Sequence, residues 1–173
     1  LLAGAPDKDK CEIIFTADGD LKNFFRMYRL IHTAPSLTNW IFTALKPERG
    51  IDGATVEMGD YSFSEKTLMF QPGTSEEYPD DIRVVVGFKH YNPCHSDEIE
   101  NGVHLYLDLL LGEENYATKI DRVIIGPLYE KLDRWNPMQK LSDYILWQEK
   151  EIIERYNQEV RVFKEDDWVL FEI

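Results

Sequence analysis

At 173 residues, with 43% hydrophobic and 29% charged side chains, the chain has the length and composition of one globular domain that can bury a core without disulfides or metals. Its net charge of −13, with Lys and Arg scattered along the chain, argues against nucleic acid or an anionic membrane surface as a partner. No run of about 18 apolar residues is present, so the sequence predicts no membrane span.

The cysteine count and the first residue bear on location. Cys11 and Cys94 are too few for a disulfide framework, and reduced thiols favour a cytoplasmic protein. The chain begins at Leu1 rather than at Met, so a missing native N-terminus or a removed signal peptide stays open. An acidic surface is typical of high solubility, and it also suits a basic protein partner.

Residues 11–47 predict a strand, a turn, a helix, a loop and a second strand. The apolar run at residues 12–17 indicates a central strand, Gly19 allows a positive φ in the turn, and Asp20 caps the helix. Residues 40–45 predict the second strand. The helix carries one apolar stripe at spacings of three and four, formed by Leu21, Phe24, Phe25, Tyr28 and Ile31.

A second unit of the same shape follows a meander of short strands. Residues 54–58 and 61–63 predict a hairpin, and residues 67–71 predict another short strand. Residues 82–127 then predict a strand, a helix capped by Ser96, a connector at residues 113–119 and a strand at residues 120–125. The core positions predicted on that helix are Ile99, Val103, Tyr106, Leu107 and Leu110.

The C-terminal third predicts a helix that Ser142 caps, followed by a β-hairpin at residues 160–163 and 168–173. With right-handed crossovers, both earlier helices fall on one face of a sheet. The predicted fold is therefore α+β, a two-layer sandwich with a mixed, mostly antiparallel sheet and two long helices on one face, an elaboration of the ferredoxin-like arrangement. We expect a single domain over residues 1–173, with a core unit at 11–127 and an appendage at 128–173.

Four short segments carry a family resemblance. They are TADG at residues 16–19, APSLTNW at residues 34–40, Lys46-Pro47, and LGE at residues 111–113. Over roughly residues 12–128 the chain resembles a bacterial family of uncharacterised proteins, a domain of unknown function. The resemblance implies an α+β fold. It transfers no catalytic or cofactor-binding residue, because that family has no assigned activity.

The one Cys/His cluster is the segment that holds His90, Cys94 and His95. These side chains could supply nitrogen and sulfur ligands to zinc, with Asp97 or Glu98 completing a tetrahedron, although the spacing matches no standard zinc finger. Cys94 beside His95 could also suggest a thiol nucleophile. The alternative is an ordinary loop that sets the entry of the next helix. No phosphate loop, nucleophile elbow or zincin helix is present, so the sequence predicts no catalytic and no cofactor-binding residue.

Trp135, Trp147 and Trp168 gather in the C-terminal third, and aromatic side chains are enriched at protein interfaces. The alternative is that they cover an edge or open face of the domain.

Three functions stay open: a non-catalytic interaction or accessory protein with a protein partner or a second copy, an enzyme or metal-binding protein that uses the His90/Cys94/His95 loop, and a small-ligand-binding domain between the helices and the meander. The first is preferred, because each candidate catalytic residue has an adequate structural role. The loops after Tyr91 and Pro127, together with the C-terminal third, are the expected functional surface.

Overall fold

The computed structural model of the chain describes residues 2–3, 10–50, 53–129 and 134–166, with the side chains of 10–50, 53–129 and 134–157. Its strands form three separate sheets. In chain order the elements are β1 (Leu2–Ala3), β2 (Cys11–Phe15), α1 (Leu21–His32), β3 (Trp40–Ala44), β4 (Val56–Met58), β5 (Tyr61–Phe63), β6 (Leu68–Gly73), β7 (Arg83–Phe88), α2 (Ser96–Leu111), α3 (Glu113–Lys119), β8 (Arg122–Pro127), β9 (Asn136–Pro137) and α4 (Leu141–Asp166).

Two parallel strand pairs organise these sheets. In the first sheet, of order β1-β2-β3, the parallel strands β2 and β3 are joined by α1. In the second, of order β8-β7-β6-β9, the parallel strands β7 and β8 are joined by α2 and α3. The α+β class is thus confirmed, but the single ferredoxin-like sheet is wrong. Within the described ranges β4 and β5 pair only with each other, so no strand pairing joins the two larger sheets.

The main core lies between the second sheet, α2 and the β4–β5 hairpin. The rings of Phe63 and Phe88 stack there with their centroids 4.8 Å apart. All five core positions predicted on α2 are buried, which confirms the apolar face of that helix. Sequence periodicity located this helix because its buried positions recur at the helical spacing.

Four predicted local features are wrong. Ser142 does not cap the third predicted helix, because this helix is α4, which begins at Leu141 and contains Ser142. The connector at residues 113–119 is the helix α3. Ser96 does not cap α2, because a 3-10 turn at Pro93–His95 precedes it and the Asn92 side chain accepts from the Cys94 backbone N–H at 3.0 Å. Residues 160–163 lie in α4 rather than in a hairpin; no glycine or proline interrupts that helix. The other predicted hairpin arm, residues 168–173, lies outside the described residues.

The apolar stripe of α1 is not buried as one face. Of the five predicted residues, Phe24 alone is buried, whereas Phe25 is 71%, Leu21 53% and Tyr28 43% exposed. At 100° per residue, Leu21, Phe25 and Tyr28 form a second stripe about a quarter turn away from the face that holds Phe24. A single helix on a three-stranded sheet can bury only one of these two stripes.

We predict that Gly102→Ala destabilises the fold by about 1–2 kcal/mol, although alanine favours a helix over glycine by about 1 kcal/mol. A Cβ at Gly102 would lie 2.1 Å from Cε2 of Phe63, and that buried ring is held in its stack with Phe88. Urea unfolding would measure the change. Gly126→Ala is the control, because a Cβ there meets nothing within 4 Å. Equal stability changes for the two variants would contradict the prediction.

Candidate functional site

The C-terminal ends of β2 and β3 meet at one edge of the first sheet, because the two strands are parallel. Asp18 and Gly19 follow β2, and Lys46 follows β3. Three residues here have positive φ: Asp18 at 54°, Gly19 at 76° and Leu45 at 61°. A buried, branched residue such as Leu45 rarely adopts this conformation, which persists only where the surroundings enforce it. Here the bends turn backbone N–H groups from both loops toward one point.

That point is the carboxylate of Glu113, which is 1% exposed. Its Oε1 accepts from the backbone N–H of Ala17 at 2.8 Å and of Gly19 at 3.1 Å, and its Oε2 accepts from that of Lys46 at 3.0 Å. Burial raises the pKa of Glu113, but hydrogen bonds from Thr16, Gly19, Lys46 and Ala17 outweigh that effect and hold the pKa below its ordinary value. The buried carboxylate is therefore ionised, and it joins α3 to both strand ends.

A second set of charges lies beside Glu113. The Lys46 Nζ contacts Oδ2 of Asp108, which α2 holds almost fully buried, and it lies 3.9 Å from Oδ1 of Asp18. Burial raises the pKa of Asp108, and its hydrogen bond and charge interaction with Lys46 act in the opposite direction. Two carboxylates thus share one ammonium group, which leaves a local excess of negative charge.

His104 and Tyr116 form a neutral pair at the other side of these charges. The Tyr116 hydroxyl is hydrogen-bonded to His104 Nδ1. Burial lowers the pKa of His104, against a smaller opposing effect of Glu100, and burial together with Asp108 raises the pKa of Tyr116. At neutral pH both side chains are therefore uncharged, and the imidazole tautomer decides which of the two donates in this hydrogen bond.

Two cavities, of about 410 Å³ and about 530 Å³, flank this charged cluster. Both are bounded by the loops of the first sheet and by α2, and they share Asp18, Lys46, Leu105 and Asp108. We call the two together the cleft. The first cavity adds the polar side chains of Asn101, His104 and Tyr116; the second adds the apolar side chains of Ile14, Val56, Pro47 and Leu109. One end of the cleft is therefore polar and the other apolar.

The predicted metal ligands lie at the start of α2, outside the lining of the cleft. His95 Nδ1 is 3.0 Å from the Tyr61 hydroxyl, the His90 ring meets the Phe88 ring edge-on with centroids 5.8 Å apart, and Cys94 is exposed. In the part of the chain that the structure describes, no group of three or more His, Cys, Asp or Glu side chains is placed to hold a metal ion. The zinc hypothesis therefore rests on the sequence alone.

The predicted interface tryptophans have separate surroundings. Trp135 packs against Gly87 of β7, where a Cβ would lie 2.6 Å from its ring, and its Nε1 donates to the Tyr129 carbonyl at 3.0 Å. This contact fits the alternative of a cover over the sheet. Trp147 is exposed on α4, and Trp168 lies outside the described residues.

Sequence reasoning missed Lys46, Asp108 and Glu113 as site residues. Two signals were present. The strand ends of a parallel pair place Asp18 and Lys46 at one edge, and Asp108 interrupts an otherwise apolar run on α2. Glu113 lies in the LGE segment of the family resemblance, but the sequence does not show its role, because its hydrogen-bond partners lie 67 to 96 residues away in the chain.

The chain matches no family model, no curated protein and no solved structure. Among the described residues, none of the helices combines the length and apolar character that a membrane crossing requires.

We predict that Glu113→Gln destabilises the fold by about 2–4 kcal/mol at pH 7, since the amide N–H of glutamine would face a backbone donor. The folded-state pKa of Glu113 lies below its ordinary value of 4.5, so its stabilisation is fully present above pH 4.5 and is lost as the pH falls through the folded pKa. The stability difference between wild type and variant should therefore narrow in acid. Urea unfolding at pH 7 and in acid measures both effects.

Glu114→Gln is the matched control, because this neighbouring carboxylate is exposed and accepts one hydrogen bond, from the Tyr28 hydroxyl at 2.7 Å. We expect a change within about 0.5 kcal/mol. A Glu113→Gln variant as stable as this control would contradict the anchoring role of Glu113.

Proposed function

We propose that this protein binds a small molecule in the cleft between the first sheet and α2. The observation that carries the proposal is the pair of cavities that share Asp18, Lys46, Leu105 and Asp108. Their volumes lie in the range that small-molecule sites occupy, roughly 300–1,000 Å³. This is the small-ligand alternative from the sequence, placed on residues that the sequence did not select.

The position of the cleft supports a binding role. In open parallel sheets, ligands bind at the carboxyl ends of the strands, where the loops leave a crevice. The loops after β2 and β3 form this edge, and the unusual backbone of Leu45 sets the direction of Lys46. Strained backbone conformations cluster at functional sites, which also favours this edge.

The lining also has the composition of a binding site. Ile14, Val56 and Leu109 give an apolar wall, and a small number of charged and polar groups converge beside it. The neutral His104 offers Nε2 as a hydrogen-bonding atom without adding charge. These groups can hold and orient a ligand.

The test is to close the cleft from α2. Leu105 is partly exposed and lines both cavities, so Leu105→Trp places an indole inside the cleft at little cost in stability. We expect amide shifts from a fragment library with cationic, neutral and anionic members to cluster on cleft residues in the wild type. In Leu105→Trp the affinity of those fragments should fall at least tenfold.

The control is Leu146→Trp, which makes the same change at an exposed position of α4. It should leave fragment binding unchanged. Shifts that map away from the cleft, or affinities that Leu105→Trp leaves intact, would contradict the proposal.

A second function, protein interaction, is favoured by the exposed side of α1. Leu21, Phe25 and Tyr28 form an apolar stripe there, beside the basic residues Lys22, Arg26 and Arg29, and the helix has no acidic residue. On a chain of net charge −13, this helix is a local basic and apolar surface. We infer that it receives an acidic amphipathic helix of a protein partner, because charge and apolar area are then both complementary.

A designed helical peptide with a leucine stripe and glutamates on its other faces tests this inference. We expect Phe25→Ser to weaken its binding about tenfold or more, because a central aromatic anchor is lost. Leu146→Ser on α4 is the control and should have no effect. If α1 instead drives self-association in sedimentation equilibrium, or binds phosphatidylserine vesicles in place of the peptide, the acidic partner is wrong.

A further inference from the structure

We propose that the cleft selects a small organic cation, a protonated amine on an apolar body, with the ammonium group beside Asp18 and the body against Ile14, Val56 and Leu109. This inference rests on the proposed binding function and names the ligand class for the same site.

The charges at the cleft leave a net negative position. In the described part of the chain, Lys46 is the one cation that Asp108 and Asp18 share. Arg49, at the rim of the apolar cavity, is already paired with Glu12, with 3.1 Å between Nη2 and Oε2. Among the described residues that line the cleft, the second carboxylate of the Lys46 cluster therefore lacks a full counter-charge.

Asp18 is the carboxylate that can accept a ligand. Its backbone is fixed in the left-handed region, and its N–H donates to Thr16 Oγ1 at 2.9 Å. Its side chain is 97% exposed and lies 3.9 Å from Lys46 Nζ, at the limit of an ion pair. Asp108, by contrast, is buried and in direct contact with Lys46. An incoming ammonium group would thus meet Asp18 first.

The same charges disfavour an anionic ligand. The Glu113 carboxylate already accepts hydrogen bonds from the backbone N–H groups at the strand ends, so those donors are not available to a phosphate or carboxylate of a ligand. Asp18 and Asp108 would repel such a group, and the net charge of −13 adds to the repulsion. An anion would have to displace Asp108 from Lys46, which leaves a buried carboxylate unpaired.

The apolar cavity defines the rest of the ligand. Its volume of about 530 Å³ accommodates a short alkyl chain or a ring next to the charged cluster. Each buried CH₂ group should strengthen binding about fourfold, which corresponds to roughly 0.8 kcal/mol. A longer alkyl chain should therefore bind more tightly until the cavity is filled.

Three probes with the same hexyl body differ only in the head group: hexylamine, hexanol and heptanoate. At pH 7 and low salt we expect hexylamine to bind about fivefold more tightly than hexanol, as for a solvent-exposed ion pair, and heptanoate to bind most weakly. Added salt should reduce the preference for the amine. Amide shifts in titrations of the intact chain give the affinities and the location together.

Asp18→Asn removes the charge and keeps a side chain that tolerates the left-handed backbone. It should abolish the preference for hexylamine and leave hexanol binding within about twofold. Glu151→Gln removes one charge from an exposed position on α4 that lines neither cavity, and it should keep the preference. A circular dichroism melt of each variant checks that the fold is retained.

The outcomes separate this inference from the proposed function. If the three probes bind the cleft equally, or heptanoate binds best, cation selection is wrong and small-molecule binding stands. If Asp18→Asn keeps the preference, the assigned residue is wrong. If none of the three probes shifts a cleft amide, the predicted binding of the apolar body and the predicted binding of the ammonium group are both wrong. The fragment library then decides whether the cleft binds small molecules.

Discussion

The ionised carboxylate of Glu113 is the interaction on which the arrangement of this protein depends. A buried charge is costly unless hydrogen bonds satisfy it, and three backbone N–H groups from the two strand ends of the first sheet do so here. Because the donors come from one part of the fold and the carboxylate from α3, the charge can be satisfied only when the two parts are docked. Folding of the first sheet onto α2 and α3 is thereby tied to a single side chain.

The cleft is a consequence of that docking. Glu113 binds the backbone of Lys46, and Leu45 adopts a positive φ next to it, so the Lys46 side chain is directed to Asp108 on α2. Ile14, which is 3% exposed, and Leu109 both line the apolar cavity between the first sheet and α2. A few polar contacts hold the two parts, and apolar surface stays accessible between them.

The sequence predicted what depends on local pattern. Strand and helix types, the turn that Asp20 caps and the buried face of α2 follow from periodicity and from Asp and Gly at fixed offsets. It did not predict which strands share a sheet, because that choice depends on contacts across the whole chain. The stripe of α1 shows the same limit. Its period indicated a helix, but the period alone could not show that Phe24 is buried while Phe25 is exposed.

The structure changes how the net charge of the chain is interpreted. A total of −13 suggests a uniform acidic surface and a basic partner, yet the charge is unevenly distributed. The exposed side of α1 is basic and apolar, whereas the cleft holds more carboxylate than ammonium. A partner that suits one of these surfaces is repelled by the other. The two binding functions proposed here therefore need not compete for the same molecule, since an acidic helix at α1 and a small cation in the cleft carry opposite charges.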